Sequence, residues 1–158
     1  MCFDHRVLTG RRASLDALVS VLPRVWCANT AWIDDWDMRN PARGQCGTTA
    51  LVVQDLHGGE VATGLVQSGF TTAVHYWNVL ASGPVDLTWQ QFPATARVLH
   101  SETVLRAEML RNSWFIDRYE ALRDRVQTLF GNHGLVSHVP TITTGSHANV
   151  TGGVAPPS

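Results

Sequence analysis

Residues 43–55 read RGQCGTTALVVQD, and this stretch decides the fold. Apolar residues fall on nearly every side of a helix drawn over residues 46–57, and Gly58-Gly59 follows as a typical C-terminal stop. A helix that is apolar all round has to be covered on every side. The stretch therefore predicts a short central helix, with the rest of the chain packed around it.

Three strand candidates follow the central helix, and each is rich in β-branched or aromatic residues. They cover residues 60–66, 72–80 and 85–88. Turn-forming residues at 81–84 separate the last two candidates. This spacing predicts an antiparallel hairpin closed by a four-residue turn.

Two further helices flank the central helix and the strands. Ser14 can cap the first, which is expected to run to about Cys27 and to be kinked or shortened by Pro23. Asn112 can cap an amphipathic helix that Gly131 ends. Because helices and strands are segregated along the chain rather than alternating, we expect an α+β fold with a small antiparallel sheet.

The length and composition favour one folded domain. The chain has 158 residues, of which 44% are hydrophobic and 16% are charged, as is typical of a globular protein. The end of the chain is rich in Gly, Thr, Ser and Pro without any periodicity. We therefore expect a single domain over residues 1–134 and a flexible tail over residues 135–158.

The charge balance argues against nucleic acid and membrane partners. Lys and Arg number 12 against 13 Asp and Glu, and no basic block is interleaved with aromatic residues. No apolar run is long enough to span a bilayer, and the N-terminus lacks a secretory pattern. These observations predict a cytoplasmic protein.

The cysteines and histidines predict neither a disulfide nor a metal site, and we expect no cofactor. Cys2, Cys27 and Cys46 lack the CxxC spacing of zinc and redox sites. The histidines other than His75 show no metal-ligand spacing. Each cysteine is therefore expected to be a free thiol.

Cys46 and two downstream side chains form a candidate catalytic constellation. On the first turn of the predicted helix, Cys46 lies where the helix dipole favours the nucleophilic thiolate. His75 is the candidate general base and acid, and Asp86 is the candidate to orient it. A four-residue turn places Gln90 opposite His75 and Asp86 opposite Val79. A bulge or a tighter turn is therefore needed to bring Asp86 to His75.

Other polar and aromatic residues are candidates around this constellation. Gln90, Gln91 and Asn78 remain alternatives to Asp86 as the group that orients His75. Gln45 and the backbone N–H of Cys46 are candidate oxyanion donors, because an amide at a helix start points toward the same pocket as the thiol. The candidate substrate-binding residues are Trp32, Trp36, Trp77, Asn78 and Gln91.

These residues also have other interpretations. A cysteine in an apolar run is most often buried and inert, and a strand histidine often belongs to a satisfied core. The chain would then be a non-catalytic binding or accessory domain. A third interpretation is a metal-linked or redox-linked sensor that uses Cys46 and His75.

Two longer stretches resemble a known family. Residues 40–61 read NPARGQCGTTALVVQDLHGGEV, and residues 75–92 read HYWNVLASGPVDLTWQQF. These motifs, with Arg118-Tyr119 further on, resemble the YunG-like family of small bacterial proteins over about residues 40–130. The turn LASGP departs from the longer polar turn, such as LPDG, that is usual in the family.

The resemblance implies a papain-like α+β fold, because its cysteine, histidine and aspartate follow the order found in arylamine N-acetyltransferases and transglutaminases. By this analogy Cys46, His75 and Asp86 form a catalytic triad. The family brings no established reaction with it. We expect a thiol-dependent enzyme that acts through an acyl-cysteine on an amide, ester or thioester of a small molecule, amino acid or peptide. Whether it is a hydrolase or an acyltransferase stays open, as does its oligomeric state.

Overall fold

The computed structural model describes residues 13–131, which form four helices, four strands and one short 3-10 turn. The helices are α1 (Leu15–Val25), α2 (Cys46–His57), α3 (Arg106–Met109) and α4 (Ser113–Phe130). The strands are β1 (Glu60–Ser68), β2 (Thr71–Leu80), β3 (Gly83–Val85) and β4 (Arg97–Val104), and the 3-10 turn is Trp89–Gln91. The predicted tail at residues 135–158 lies outside the described residues, as does Cys2.

The strands form one antiparallel sheet in the order β3-β2-β1-β4. β1 and β2 make a long hairpin whose register runs from Glu60 opposite Val79 to Ser68 opposite Thr71. β4 pairs with the other edge of β1, and the register shifts between Leu65 and Val66. The predicted α+β class with a small antiparallel sheet is confirmed.

Helix α2 is the centre of the fold, as its all-round apolar sequence predicts. It packs against β1 and β2 on the sheet side and against α4 on the other side. All residues of its first two turns are buried, and so is Leu56 near its end. Asn78 on β2 donates a side-chain hydrogen bond of 2.9 Å to the carbonyl of Ala50, so the sheet is tied to the middle of the helix.

Local capping sets the ends of the two outer helices. The Ser14 hydroxyl accepts a hydrogen bond from the Ala17 N–H, and α1 ends soon after Pro23, before the predicted limit at Cys27. Asn112 caps α4 in the same way, and Gly131, with φ of +74°, follows its last residue. Both helices therefore begin where the sequence predicts.

The sequence prediction misses β4 and α3. Seven of the eight side chains of β4 are exposed and the last is half-buried, so the strand lacks the alternation that identifies a half-buried strand. Helix α3 is a single turn of four residues.

Within residues 13–131, every helix is too short or too polar to cross a bilayer.

Candidate active site

Cys46 is the first residue of α2, where the sequence predicts it, and only 2% of its surface is exposed. Gln45, the N-cap residue, makes no capping hydrogen bond with its side chain. Backbone N–H groups in the first turn of a helix carry partial positive charge. The thiol therefore lies at the positive end of the helix dipole.

His75 lies on β2 opposite Gly64 and is completely buried. Its Nε2 lies 2.6 Å from Oδ2 of Asp86. The other carboxylate oxygen of Asp86 accepts hydrogen bonds from the backbone N–H and the hydroxyl of Thr88, at 2.9 and 3.0 Å. Asp86 is thus held in place from one side and orients the imidazole on the other.

The hairpin turn is tighter than the sequence predicts, and this brings Asp86 to His75. The predicted four-residue turn and the predicted strand over residues 85–88 are wrong. Gly83 and Pro84 pair with Leu80 and Val79 inside the sheet, so only two residues, Ala81 and Ser82, make the turn. Because β3 ends at Val85, the next residue leaves the sheet edge and folds back toward His75.

The environment of His75 favours its protonated form. Burial lowers the pKa of His75, but hydrogen bonds to Asp86 and Cys46, together with the negative charges of these groups, outweigh burial. The pKa of His75 is raised from 6.5 to about 9. These interactions group the predicted nucleophile, base and orienting acid in one cluster.

A glutamine side chain approaches the second nitrogen of the His75 ring. Nε2 of Gln91 lies 3.4 Å from Nδ1 of His75 and also donates to the carbonyl of Thr88 at 3.0 Å. Since Asp86 engages Nε2 of the ring, Nδ1 is the nitrogen left for Cys46. Gln91 therefore lies beside the ring nitrogen that Asp86 leaves for Cys46.

Three aromatic rings surround His75, and only Trp77 among them is a predicted site residue. Trp77 stacks on His75 with centroids 5.9 Å apart, while Trp89 and Phe92 meet it edge-on at 5.8 and 4.9 Å. The available signal was the spacing of three residues between Trp89 and Phe92. In a 3-10 turn this spacing places both side chains on one face.

The loop before α2 touches the same region through a polar contact. Asn40 donates a side-chain hydrogen bond of 3.0 Å to the carbonyl of Gln91. Of the two predicted pocket tryptophans in this loop, Trp36 donates to the carbonyl of Pro41, and Trp32 is 41% exposed. The loop is thus fastened beside the 3-10 turn.

Two predicted polar site residues are engaged in the core. Gln45 is fully buried, and its amide nitrogen donates to the carbonyl of Cys27 at 3.0 Å. Asn78 is 2% exposed and donates to α2, as described above. Both side chains therefore join α2 to its neighbours.

Gly47 allows two aromatic rings to approach the turn that carries Cys46. A Cβ atom at Gly47 would lie 3.0 Å from two ring carbons of Phe115 and 3.5 Å from the ring of Tyr76. Any larger residue would push the Phe115 ring away.

In the part of the chain that the structure describes, no three His, Cys, Asp or Glu side chains are grouped as metal ligands.

Fold and site together define an α+β protein with a buried Cys–His–Asp cluster at the start of its central helix. A sequence model of the family described as YunG protein matches residues 14–131, and the chain belongs to this family. Over 113 residues it is 27% identical to the "Uncharacterized protein YunG" of Bacillus subtilis (strain 168). That alignment covers 72% of this chain and 88% of the relative. No solved structure matches the chain.

Proposed function

We propose that the protein is a thiol-dependent acyl-transfer enzyme in which Cys46 is the nucleophile. The observation that carries the proposal is the 2.6 Å contact between His75 and Asp86, in a site where Cys46, at the start of a buried helix, acts on the same histidine. With a pKa of about 9, His75 is positively charged at neutral pH. A cation beside a thiol favours the thiolate, which is the reactive form.

In the acylation step the sulfur of Cys46 forms a bond to the carbonyl carbon of an amide, ester or thioester. The electron pair of the carbonyl double bond moves to oxygen, and the backbone N–H of Cys46 is the proposed donor to that oxyanion. When the tetrahedral intermediate collapses, the bond to the leaving group breaks and the proton on Nδ1 of His75 passes to it. The product is an acyl-cysteine with a neutral imidazole.

In the deacylation step the neutral His75 acts as a general base. It takes a proton from water or from an amine as that nucleophile attacks the acyl carbon, and the Cys46 thiolate leaves. Water gives a hydrolase and an amine gives an acyltransferase. Throughout, Asp86 holds the ring in the Nε2–H tautomer and stabilises the imidazolium.

We propose a papain-like arrangement for this site. Its support is that the cysteine begins the central helix, the histidine lies on the antiparallel sheet, and the acid follows on the next strand connection. The proposed substrates are small molecules, amino acids or peptides. The proposed setting is the bacterial cytoplasm, a reducing compartment in which Cys46 stays a free thiol.

Thiol reactivity tests the proposal with an internal control. Cys27 is a free cysteine that is more exposed than Cys46. If exposure alone decided reactivity, iodoacetamide at neutral pH would modify Cys27 first. We expect Cys46 to react faster, as measured by peptide mass mapping over time. Intact-mass detection of an acyl adduct on Cys46, after incubation with a panel of acyl-thioesters, would then identify the acyl class.

The second candidate is a non-catalytic binding or accessory domain. The observation that favours it is the burial of both Cys46 and His75. In that case the cluster would be a satisfied polar core, and Cys46 would be inert in the folded protein. Slower alkylation of Cys46 than of Cys27, with no acyl adduct from any thioester, would select this candidate.

A further inference from the structure

We propose that Gln91 is the side-chain donor that binds the carbonyl oxygen of the acyl substrate, and that its hydrogen bond to Thr88 holds it in position until the substrate arrives. The inference rests on the proposed acyl transfer and assigns its second oxyanion donor. Nε2 of Gln91 lies 3.4 Å from Nδ1 of His75. In a Cys–His pair the reacting carbonyl lies beside this nitrogen, so Gln91 borders the reacting volume.

The orientation of the Gln91 amide is fixed by a second contact. Its nitrogen donates to the carbonyl of Thr88 at 3.0 Å, so the nitrogen and not the oxygen faces His75. An amide nitrogen has two hydrogens, and the bond to Thr88 uses one of them. The other is directed toward Nδ1. Because Thr88 also fixes Asp86, one short segment sets the groups on both sides of the ring.

The protonation of His75 decides whether Nδ1 accepts this hydrogen. Asp86 binds Nε2, so the neutral ring carries its lone pair on Nδ1, where Gln91 can donate. At neutral pH the ring is charged and Nδ1 carries a proton, so two N–H groups face each other and the contact is repulsive. The Gln91 hydrogen then lacks an acceptor at the stage when attack of the thiolate creates an oxyanion.

Gln45 is the other glutamine beside the thiol, and its contacts commit it elsewhere. It is fully buried, and its nitrogen donates to the carbonyl of Cys27 at 3.0 Å. Its side-chain oxygen finds no hydrogen-bond partner among residues 13–131. Gln45 therefore anchors the preceding loop to α2, whereas the half-buried Gln91 is placed to meet a substrate.

Two reactions of Cys46 show whether Gln91 donates to an oxyanion or only supports the structure of the site. Acylation by p-nitrophenyl acetate requires both the thiolate and oxyanion stabilisation, whereas alkylation by iodoacetamide requires the thiolate alone. We expect Gln91→Leu to slow acylation about 100-fold, the usual effect of losing one oxyanion donor. Alkylation at the same pH should stay within about 3-fold of wild type or become faster, since a donor opposed to the imidazolium is removed.

Two further variants complete the experiment. Gln91→Glu keeps the shape of the side chain but removes the N–H donor, so acylation should fall at least as far as in Gln91→Leu. Gln90→Ala is the matched control, because Gln90 lies on the same 3-10 turn and is exposed, and Asp86 holds the place at His75 for which Gln90 was an alternative. It should leave both rates unchanged.

The outcomes distinguish this inference from the proposed function. If Gln91→Leu is acylated at the wild-type rate, or if its acylation and alkylation rates fall together, the assignment of Gln91 is overturned. The proposed acyl transfer is not affected by either result. A wild-type protein that is neither acylated nor rapidly alkylated at Cys46 overturns acyl transfer, and the role of Gln91 with it.

Discussion

The two ends of α2 each meet a set of three titratable side chains. At the N-terminal end the set is Cys46, His75 and Asp86. At the C-terminal end the set is Asp55, Tyr119 and Arg106. One helix therefore presents two partly buried polar clusters that can be compared directly.

The C-terminal cluster is closed. Tyr119 donates to Asp55, and Arg106 both donates to the Tyr119 hydroxyl at 2.7 Å and forms an ion pair with Asp55 at 2.9 Å. Burial raises the pKa of Asp55, against the opposing effects of Tyr119 and Arg106. Burial and the neighbouring carboxyl raise the pKa of Tyr119. Each member thus has a fixed partner within the chain, as expected of a structural contact.

The N-terminal cluster is open by comparison. Asp86 engages Nε2 of His75, so Nδ1 is the nitrogen available to Cys46, and Gln91 approaches that same nitrogen. One ring nitrogen cannot bond to both groups at once. A buried polar cluster is therefore weak evidence of catalysis by itself. Competition of two side chains for one ring nitrogen is the feature that distinguishes the N-terminal end of α2 from its C-terminal end.

The largest expected effect comes from Cys46→Ala. Loss of the nucleophile should reduce release of p-nitrophenol from p-nitrophenyl acetate by on the order of 10⁴-fold or more. The free energy of unfolding in urea should change by only about 1 kcal/mol, since a single small buried atom is lost. Substantial remaining turnover would place the reaction at another residue.

His75→Gln should slow acylation of Cys46 by about 10² to 10⁴-fold, because the general acid and base is removed. His100→Gln is the matched control, since His100 is an exposed histidine on β4. Stopped-flow measurement of the acylation burst gives both rates. Equal rates for the two variants would remove His75 from the mechanism.

Asp86→Asn should lower the pKa of His75 from its wild-type value of about 9. Removing the carboxylate takes away a hydrogen bond and a negative charge that favour the imidazolium, with an expected change of roughly 1 to 3 pH units. Below its pKa the ring is charged, so the variant should lose the charge at a lower pH. An NMR titration of the His75 ring protons measures this, and an unchanged midpoint would show that Asp86 does not act on the ring.

Tyr119→Phe should affect stability without affecting the thiol. It leaves Asp55 and Arg106 without the shared hydroxyl, at a cost of about 1 to 3 kcal/mol in the free energy of unfolding. Alkylation of Cys46 by iodoacetamide should keep its wild-type rate under native conditions. A slower rate would show that the two ends of α2 are coupled.

The central helix could be predicted from sequence because one strong signal covers all of it. The apolar run and the Gly58-Gly59 stop give the same limits, Cys46–His57, that the structure has. The position of Cys46 on the first turn follows from those limits. Burial of the first two turns and of Leu56 also follows, since apolar residues occupy nearly every side of the helix there.

The hairpin register could not be predicted, because Gly83 and Pro84 are typical of turns yet lie within β3. Gly83 pairs with Leu80 at a φ of +115°, which glycine alone adopts readily. β3 is an edge strand, where proline is tolerated. The contact between His75 and Asp86 depends on this register, so the sequence could name the residues of the site but not place them.

The stacking of Trp77 on His75 gives the site a built-in optical probe. The two rings are nearly parallel, with 26° between their planes and 5.9 Å between their centroids. A positively charged imidazole draws electron density from an excited indole and quenches its fluorescence, whereas a neutral imidazole does so far less. We expect the emission of Trp77 to brighten as His75 loses its proton, so that the charge state of the ring can be followed in real time without any label.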